Sequence, residues 1–271
     1  MSLVINSNIA AMDAHRNLVN SSNAMAKSMQ RLSSGLRINS AADDAAGLAI
    51  SQSMTGQING LDQAQRNAQD GISLVQTADG TLNNVQQMLQ RVRELAVQYN
   101  TGTLSSSDQA AISSEVTQLA SEIARVGVDA QFNKSTLFSA SQTQTAVSFQ
   151  VGANDGEVIA VQLTTMDVLV PDSKTGGTGF CLLSIASIDN EINAVSTQRA
   201  AFGAVQNRLQ YALDNLSTYE QNLTSARSSI QDVDMAAEMT NYTKEQILQQ
   251  AGTSMLAQAN QSPQSVLKLL Q

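Results

Sequence analysis

Residues 61–98 read LDQAQRNAQDGISLVQTADGTLNNVQQMLQRVRELAVQ, and apolar side chains recur in this stretch at every seventh position. The members of this seam are Leu61, Ala68, Val75, Leu82, Leu89 and Ala96. A second seam with the same period consists of Ile188, Val195, Phe202, Leu209, Leu216, Leu223 and Ile230. Sustained heptads are typical of long helices packed at shallow angles. At a rise of about 1.5 Å per residue each helix would be about 70–85 Å long, so we expect a rod.

Polar residues and glycines mark the expected ends of these helices. Ser40 and Asp43 have the spacing of a capping box and would open the first long helix, which would stop at residues 100–102. Ser105 and Asp108 repeat the box before a shorter helix, and Gly127 would end that helix. Three antiparallel helices can then share their apolar stripes.

The middle of the chain, residues 130–181, lacks the heptad pattern. Val147, Phe149 and Val151 alternate with polar residues, and residues 154–156 have the composition of a turn. An extended pattern then resumes, in which either Val158 and Ala160 or Val161 and Leu163 point to one face. The region therefore predicts a β-hairpin.

Both ends of the chain carry amphipathic helical patterns that are rich in Asn, Gln and Ser. The apolar residues that we assign to an assembly core are Ile5, Ile9, Met12, Met25, Met29, Leu32, Ile247, Leu248, Met255, Leu256, Val266, Leu267 and Leu270. Isolated helices of this kind are marginally stable in water, because most helical stability comes from tertiary packing. We expect both ends to be mobile in the monomer and to order against neighbouring subunits. The alternative is that they pair within one chain.

Composition excludes several classes of protein. The net charge is −8 and no basic cluster occurs, whereas a nucleic-acid binder needs clustered Lys and Arg. No apolar run is long enough to predict membrane insertion. The first residues lack the pattern of a cleavable secretory signal, so we expect a cytoplasmic chain or one exported by another route.

The chain also lacks the residues for catalysis. His15 is the only histidine and Cys181 the only cysteine, so neither a catalytic triad nor a His-based metal helix is expected. Cys181 has no partner for an internal disulfide, and we interpret it as a small buried hydrophobic residue. We predict no enzymatic activity, no cofactor and no metal.

Four motifs resemble the signatures of bacterial flagellins, in the order that the family has. They are RLSSGLRINSAADDAAGLAI at 31–50, QRVRELAVQ at 90–98, VGANDGE at 151–157 and NQSPQSVLKLLQ at 260–271. The resemblance covers residues 1–165 and 182–271. It implies a mainly α fold, a long antiparallel coiled-coil-like bundle formed by both chain ends, with a small β-hairpin region in the middle.

The resemblance also implies a domain organisation. Residues 1–43 and 232–271 would form the inner-core (D0-like) helices of a filament, and residues 44–231 a rod (D1-like) of three long helices with the hairpin region. The stretch after Leu163 is short, so the outer (D2- and D3-like) domains of larger flagellins would be absent. Asp43, Asp44 and Gly47 lie at the expected joint between core and shell, with the two acids in the first helical turn, where the macrodipole favours negative charge.

Function and partners follow from the same resemblance. It implies a subunit that polymerises into the flagellar filament for swimming, with other copies of itself as the main partner. Export would use the flagellar type III route without a cleavable signal, assisted by an export chaperone and followed by assembly beneath a filament cap, next to hook-associated proteins. The chain would be a secreted, extracellular filament component. A hook-associated junction protein, which shares the terminal helices, is the alternative.

One recognition site is implied residue by residue. Some flagellins are bound by the animal receptor TLR5 through an Arg, a Leu and a Glu, and the matching residues are Arg91, Leu95 and Glu115. Arg91 and Leu95 are one helical turn apart and share a face. The alternative is that Arg91 and Glu115 form an ordinary solvated pair between adjacent helices, with Leu95 as packing.

Overall fold

A computed structural model of the chain describes residues 8–139, 146–170 and 184–269, with side chains as far as residue 261. Its helices are α1 (Ile9–Ser34), α2 (Ala45–Tyr99), α3 (Ser106–Asp129), α4 (Met166–Leu169), α5 (Ile185–Gln231) and α6 (Met235–Leu269). Its strands are β1 (Gln131–Phe132), β2 (Ser135–Thr136), β3 (Ala146–Gln150) and β4 (Val158–Gln162). The predicted fold class is confirmed: long helices dominate, and a small antiparallel hairpin lies in the middle of the sequence.

The chain divides into two compact units. The terminal unit comprises Met1–Gly56 and Asn222–Gln271, and the central unit comprises Gln57–Gln221.

The core of the central unit confirms the first predicted seam and five of the seven members of the second, whereas Leu223 and Ile230 lie in the terminal unit and are only half-buried. All six members of the first seam are at most 1% exposed. Ile188, Val195, Phe202 and Leu209 of the second seam are equally buried, and Leu216 is 8% exposed. Phe138 adds an aromatic ring whose centroid lies 6.5 Å from that of Phe202. The heptad period thus identified the residues that α2 and α5 bury.

The predicted cap of α3 is confirmed and its predicted end is wrong. Ser105 and Asp108 form a reciprocal capping box, in which each side chain accepts a hydrogen bond from the other residue's backbone N–H. The helix then continues past Gly127 to Asp129. Gly127 is buried inside the helix, and a Cβ there would lie 2.8 Å from Cβ of Met166, so this glycine permits close packing rather than a stop.

The predicted cap of α2 is displaced by several residues. Asp43 accepts hydrogen bonds from the backbone N–H and the hydroxyl of Ser40, but this closes a turn that precedes the helix. Asp44 holds the capping position, because its Oδ1 accepts from the backbone N–H of Gly47 at 2.9 Å. Both acids therefore lie before the first helical turn, not within it.

The hairpin region contains the predicted pair of strands, β3 and β4, joined antiparallel with Val147 opposite Val161 and Phe149 opposite Ile159. Val161 and Leu163 are buried while Val158 is 49% exposed, which selects the second of the two phases left open by the sequence. A second, smaller hairpin pairs β1 with β2. It turns through Asn133 and Lys134, both with positive φ, and the sequence pattern did not predict it.

None of the helices described is long and apolar enough to cross a membrane. Three predicted features lie outside the described residues: Cys181, and the assembly-core residues Ile5 and Leu270. The side chains of Val266 and Leu267 are likewise not described.

Candidate assembly surface

The terminal unit is built on the antiparallel pair α1 and α6. The hydroxyl of Ser21 donates to Glu245 at 2.6 Å, and the side-chain amide of Asn8 donates to the carbonyl of Ala259 at 2.8 Å. Gly252 faces Leu18, since a Cβ at Gly252 would lie 3.3 Å from Cδ1 of that leucine. The alternative that the two chain ends pair within one chain is thus what the structure contains.

This pair buries little apolar surface. The buried residues of α1 are Ser21 and Ser28, both polar, and among the described side chains of α6 the buried one is Glu238. Arg31 lies 3.8 Å from Glu238, which joins the last turn of α1 to the first turn of α6 and places each charge where the helix dipole favours it. The contact between the helices is therefore mostly polar and partial.

Six of the nine predicted assembly-core side chains that the structure describes are exposed to solvent. Exposed ones are Ile9, Met12, Met29, Ile247, Leu248 and Met255, at 45–64%. Met25, Leu32 and Leu256 are half-buried. Val19, Met235 and Met239 are also exposed, and the sequence analysis missed them. Exposed large apolar side chains at this density mark a surface that binds another molecule.

The two helices also enclose a groove of about 700 Å³. Six of its lining residues define it here as the α1–α6 groove: Leu18, Ser21, Glu245, Leu248, Gly252 and Met255. The small residues Ala14, Ala24 and Ala251 also line it and keep it wide. The polar part of its lining consists of Asn17, Asn20 and the Ser21 and Glu245 pair, and the rest is apolar or glycine.

A backbone joint ties the two halves of the terminal unit together. The backbone N–H of Arg37 donates to Gln231 at 2.7 Å, and that of Val233 donates to Gly35 at 3.0 Å. Gly35 has a φ of 72°, a conformation that glycine adopts without strain. This joint was not predicted from the sequence, although a glycine after the basic last turn of a helix was a readable signal.

The residues predicted to join core and shell, Asp43, Asp44 and Gly47, belong to the same terminal unit. Lys27 pairs with Asp43 at 2.7 Å, and this hydrogen bond, with those from the backbone of Asn39 and Ser40, lowers the pKa of Asp43 to about 2. Gly47 is buried, and a Cβ there would lie 2.6 Å from both Asp44 Oδ2 and Ile38 Cδ1. A side chain at residue 47 would therefore displace the cap of α2 or the buried isoleucine.

The predicted receptor residues lie in the central unit. Arg91 donates to Glu115 Oε1 through Nε at 3.0 Å and Nη2 at 2.9 Å, and also reaches Glu94 at 3.2 Å. These hydrogen bonds raise the pKa of Arg91. Leu95 is 2% exposed and belongs to the core, whereas Arg91 and Glu115 are about half exposed. The surface available to a receptor at this place is an Arg and Glu pair above a buried leucine.

Within the described residues, no group of three or more His, Cys, Asp or Glu side chains could hold a metal ion. The one histidine, His15, is exposed on α1.

Known proteins resemble this chain over almost its whole length. A family model described as the bacterial flagellin N-terminal helical region matches residues 5–143, and one described as the bacterial flagellin C-terminal helical region matches residues 185–270. The chain is 50% identical to a flagellin of Halalkalibacterium halodurans, over 99% of this chain and 100% of that protein. It is 45% identical to a flagellin of Bacillus subtilis, over 98% of this chain and 99% of that protein. A crystal structure of Bacillus cereus flagellin is 27% identical, with a TM-score of 0.50 over 60% of this chain and 94% of that one.

Proposed function

Because this chain belongs to the bacterial flagellin family, whose members are structural filament proteins rather than enzymes, we propose that it polymerises through α1 and α6 to build a filament for swimming. The chain is a flagellar filament component that assembles with copies of itself. Our proposals concern four points: the role of the terminal helices, motility, export and recognition by a host.

The observation that carries the proposal is the exposed apolar surface of the terminal unit. Burying one large apolar side chain contributes about 1.5–3 kcal/mol. Nine such side chains with 43–64% exposure lie on α1 and α6: Ile9, Met12, Val19, Met29, Met235, Met239, Ile247, Leu248 and Met255. Neighbouring copies that cover them would gain a large part of the free energy of assembly.

We also propose that the pair of α1 and α6 becomes stable only on assembly. Its helices share few buried apolar contacts, and a helix without such contacts is marginal in water. An unfolded pair would suppress premature polymerisation and would suit passage through a narrow export channel. In this proposal residues 1–43 and 232–271 form the D0-like core, and residues 44–231 the D1-like shell.

Seeded elongation tests the proposal. Purified chain mixed with sheared filament fragments should elongate into fibres that electron microscopy measures in micrometres. The double variant Ile247→Gln and Met255→Gln should elongate at least about tenfold more slowly, because it places amides in the buried interface. Tyr211→Gln, at a side chain on α5 that is 75% exposed, is the matched control and should elongate normally.

The same experiment separates the filament subunit from a hook-associated junction protein. A junction protein builds a short collar, so seeds would gain a layer of fixed thickness and stop growing. Continuous growth in proportion to the chain added supports the filament role. We propose that the chain is exported by the flagellar type III route. Its proposed cellular partners are an export chaperone, the filament cap and the neighbouring hook-associated proteins.

We further propose that the free chain is recognised by the receptor TLR5 at Arg91 and Glu115. The paired charges are exposed and fixed by their hydrogen bonds, which favours recognition by a complementary surface. Activation of a TLR5 reporter by free chain, and its loss in Arg91→Ala and Glu115→Ala, is the test. Equal activation by both variants and the natural chain would contradict this part.

A further inference from the structure

Glu245 and Arg16 are two of the charged side chains of the terminal unit that have no ion-pair partner among the described residues. Glu245 lies half-buried in the wall of the α1–α6 groove and accepts one hydrogen bond, from Ser21. Arg16 is exposed on α1. Among the described residues no opposite charge lies within 4.0 Å of either group. Glu245 therefore presents to the groove a carboxylate with which the cation of another copy can pair.

Arg16 lies on an apolar strip of α1. We define the outer face of α1 as Ile9, Met12, Arg16 and Val19, which follow one another at helical spacings of three, four and three positions. Its three apolar members are 43–64% exposed. No described element of the terminal unit covers them.

The outer face and the groove match in length and in shape. From Ile9 to Val19, and from Glu245 to Met255, each surface extends about 15 Å along its helix. The outer face presents large side chains, while small residues such as Ala251 and Gly252 widen the groove. A filament requires two different, complementary surfaces on each subunit, so that contacts continue without closing.

The positions of the charges agree with an antiparallel crossing. Arg16 follows Ile9 by seven positions, and Gly252 follows Glu245 by the same number. An α1 helix that enters the groove antiparallel to α6 therefore brings Arg16 to Glu245 when Ile9 meets Gly252. At Gly252 the incoming isoleucine would pack beside Leu18 of the receiving copy, whose side chain lies over the glycine.

We propose that, in the filament, the outer face of α1 of one copy occupies the α1–α6 groove of the next copy, with Arg16 paired to Glu245. This contact rests on the proposed function, since it specifies the surfaces through which copies assemble. It also assigns the Ser21 hydroxyl a role, which is to hold the Glu245 carboxylate in place for the incoming guanidinium.

Charge exchange tests this contact. Arg16→Glu and Glu245→Arg, each alone, should slow seeded elongation about tenfold or more through like-charge contact, and the two together should restore it to within about threefold. A control with the same net charge combines Arg16→Glu with Asp214→Arg, an exposed site on α5 in the central unit, and should stay slow. Failure of the exchange to restore elongation, or equal recovery by the control, overturns the contact.

Cross-linking tests the contact between Arg16 and Glu245 of neighbouring copies even where a charge variant folds poorly. One chain carries Arg16→Cys and another Glu245→Cys, both with Cys181→Ser, and the two are polymerised together and treated with a bismaleimide. Cross-linked pairs containing one chain of each kind are expected, and Arg208→Cys in place of Arg16→Cys should give none. Absence of such pairs in intact mixed filaments would overturn the contact, whereas failure of the natural chain to elongate would contradict the proposed function instead.

Discussion

Lys27 Nζ lies 2.7 Å from Asp43 Oδ1, which ties α1 to the turn that leads into α2. The same carboxyl group also accepts from the backbone N–H groups of Asn39 and Ser40 through Oδ2. One aspartate thus stabilises the turn and anchors the terminal helix. Both functions require its ionised form.

This arrangement predicts acid sensitivity in a defined range. The pKa of Asp43 falls from 3.8 to about 2, chiefly through the hydrogen bond from Lys27. A carboxyl group with a depressed folded-state pKa contributes stability that is complete above its unfolded value and is lost as the pH falls through the folded one. Between pH 3.8 and about 2, filaments of the natural chain should therefore lose more stability than filaments of Asp43→Asn.

Light scattering of filaments during acid titration measures this difference. Asp13→Asn is the matched control, because Asp13 also lies in the terminal unit and forms no ion pair among the described residues. It should follow the natural chain. An identical acid profile for Asp43→Asn and the natural chain would contradict a stabilising role for the pair.

Two valines on α2 test the core of the central unit with the same chemical change. Val85 is fully buried, so Val85→Ala should lower the free energy of unfolding by about 2 kcal/mol through lost burial and a cavity. Val97 is 49% exposed, and Val97→Ala should change stability by less than about 0.5 kcal/mol. Urea unfolding followed by circular dichroism gives both values, and equal effects would contradict the assigned core.

The capping box of α3 provides a second stability test. Ser105→Ala removes the hydroxyl that accepts from the backbone of Asp108, and should cost about 1 kcal/mol. The neighbouring Ser106→Ala keeps the box and should have an effect within about 0.5 kcal/mol. Thermal unfolding of the two variants measures the difference. Equal unfolding midpoints for Ser105→Ala and Ser106→Ala would show that the capping box does not stabilise the chain.

Leu95 separates a contact with a receptor from a role in folding. Because Leu95 is 2% exposed, Leu95→Ala should lower the free energy of unfolding by about 3 kcal/mol, whereas Arg91→Ala at the surface should lower it by less than about 1 kcal/mol. If Leu95→Ala abolishes reporter activation at a temperature where the chain stays folded, the leucine acts directly on the receptor. Loss of activation only where the chain unfolds indicates that it acts through packing.

The seams could be predicted from the sequence because each long helix repeats one local pattern, an apolar residue at every seventh position. Leu82 and Phe202 are members of the two series. Ser105 and its partner were readable for the same reason, since a capping box needs only local spacing. Ser40 has that spacing too, but its turn closes before the helix, and Asp44 takes the cap. Spacing alone does not distinguish these two outcomes.

The features that were missed depend on residues far apart in the chain. The bridge between Leu36 and Asp232 joins segments with no shared local pattern. Gly127 looks like a helix stop until Met166, from a later segment, packs against it. Leu95 shares a helical face with Arg91 by spacing, yet the core lies close enough to bury it. Tertiary contact decides such cases.

Amide hydrogen exchange of α1 and α6, measured on the free chain and again after seeded polymerisation, tests the central claim most directly. We predict fast exchange along both helices in the free chain and strong protection in the filament, while α2 and α3 are protected in both states. Equal protection of α1 and α6 before and after polymerisation would contradict the claim that assembly orders the terminal helices. Filaments in which both helices still exchange freely would contradict the claim that the filament is built on them.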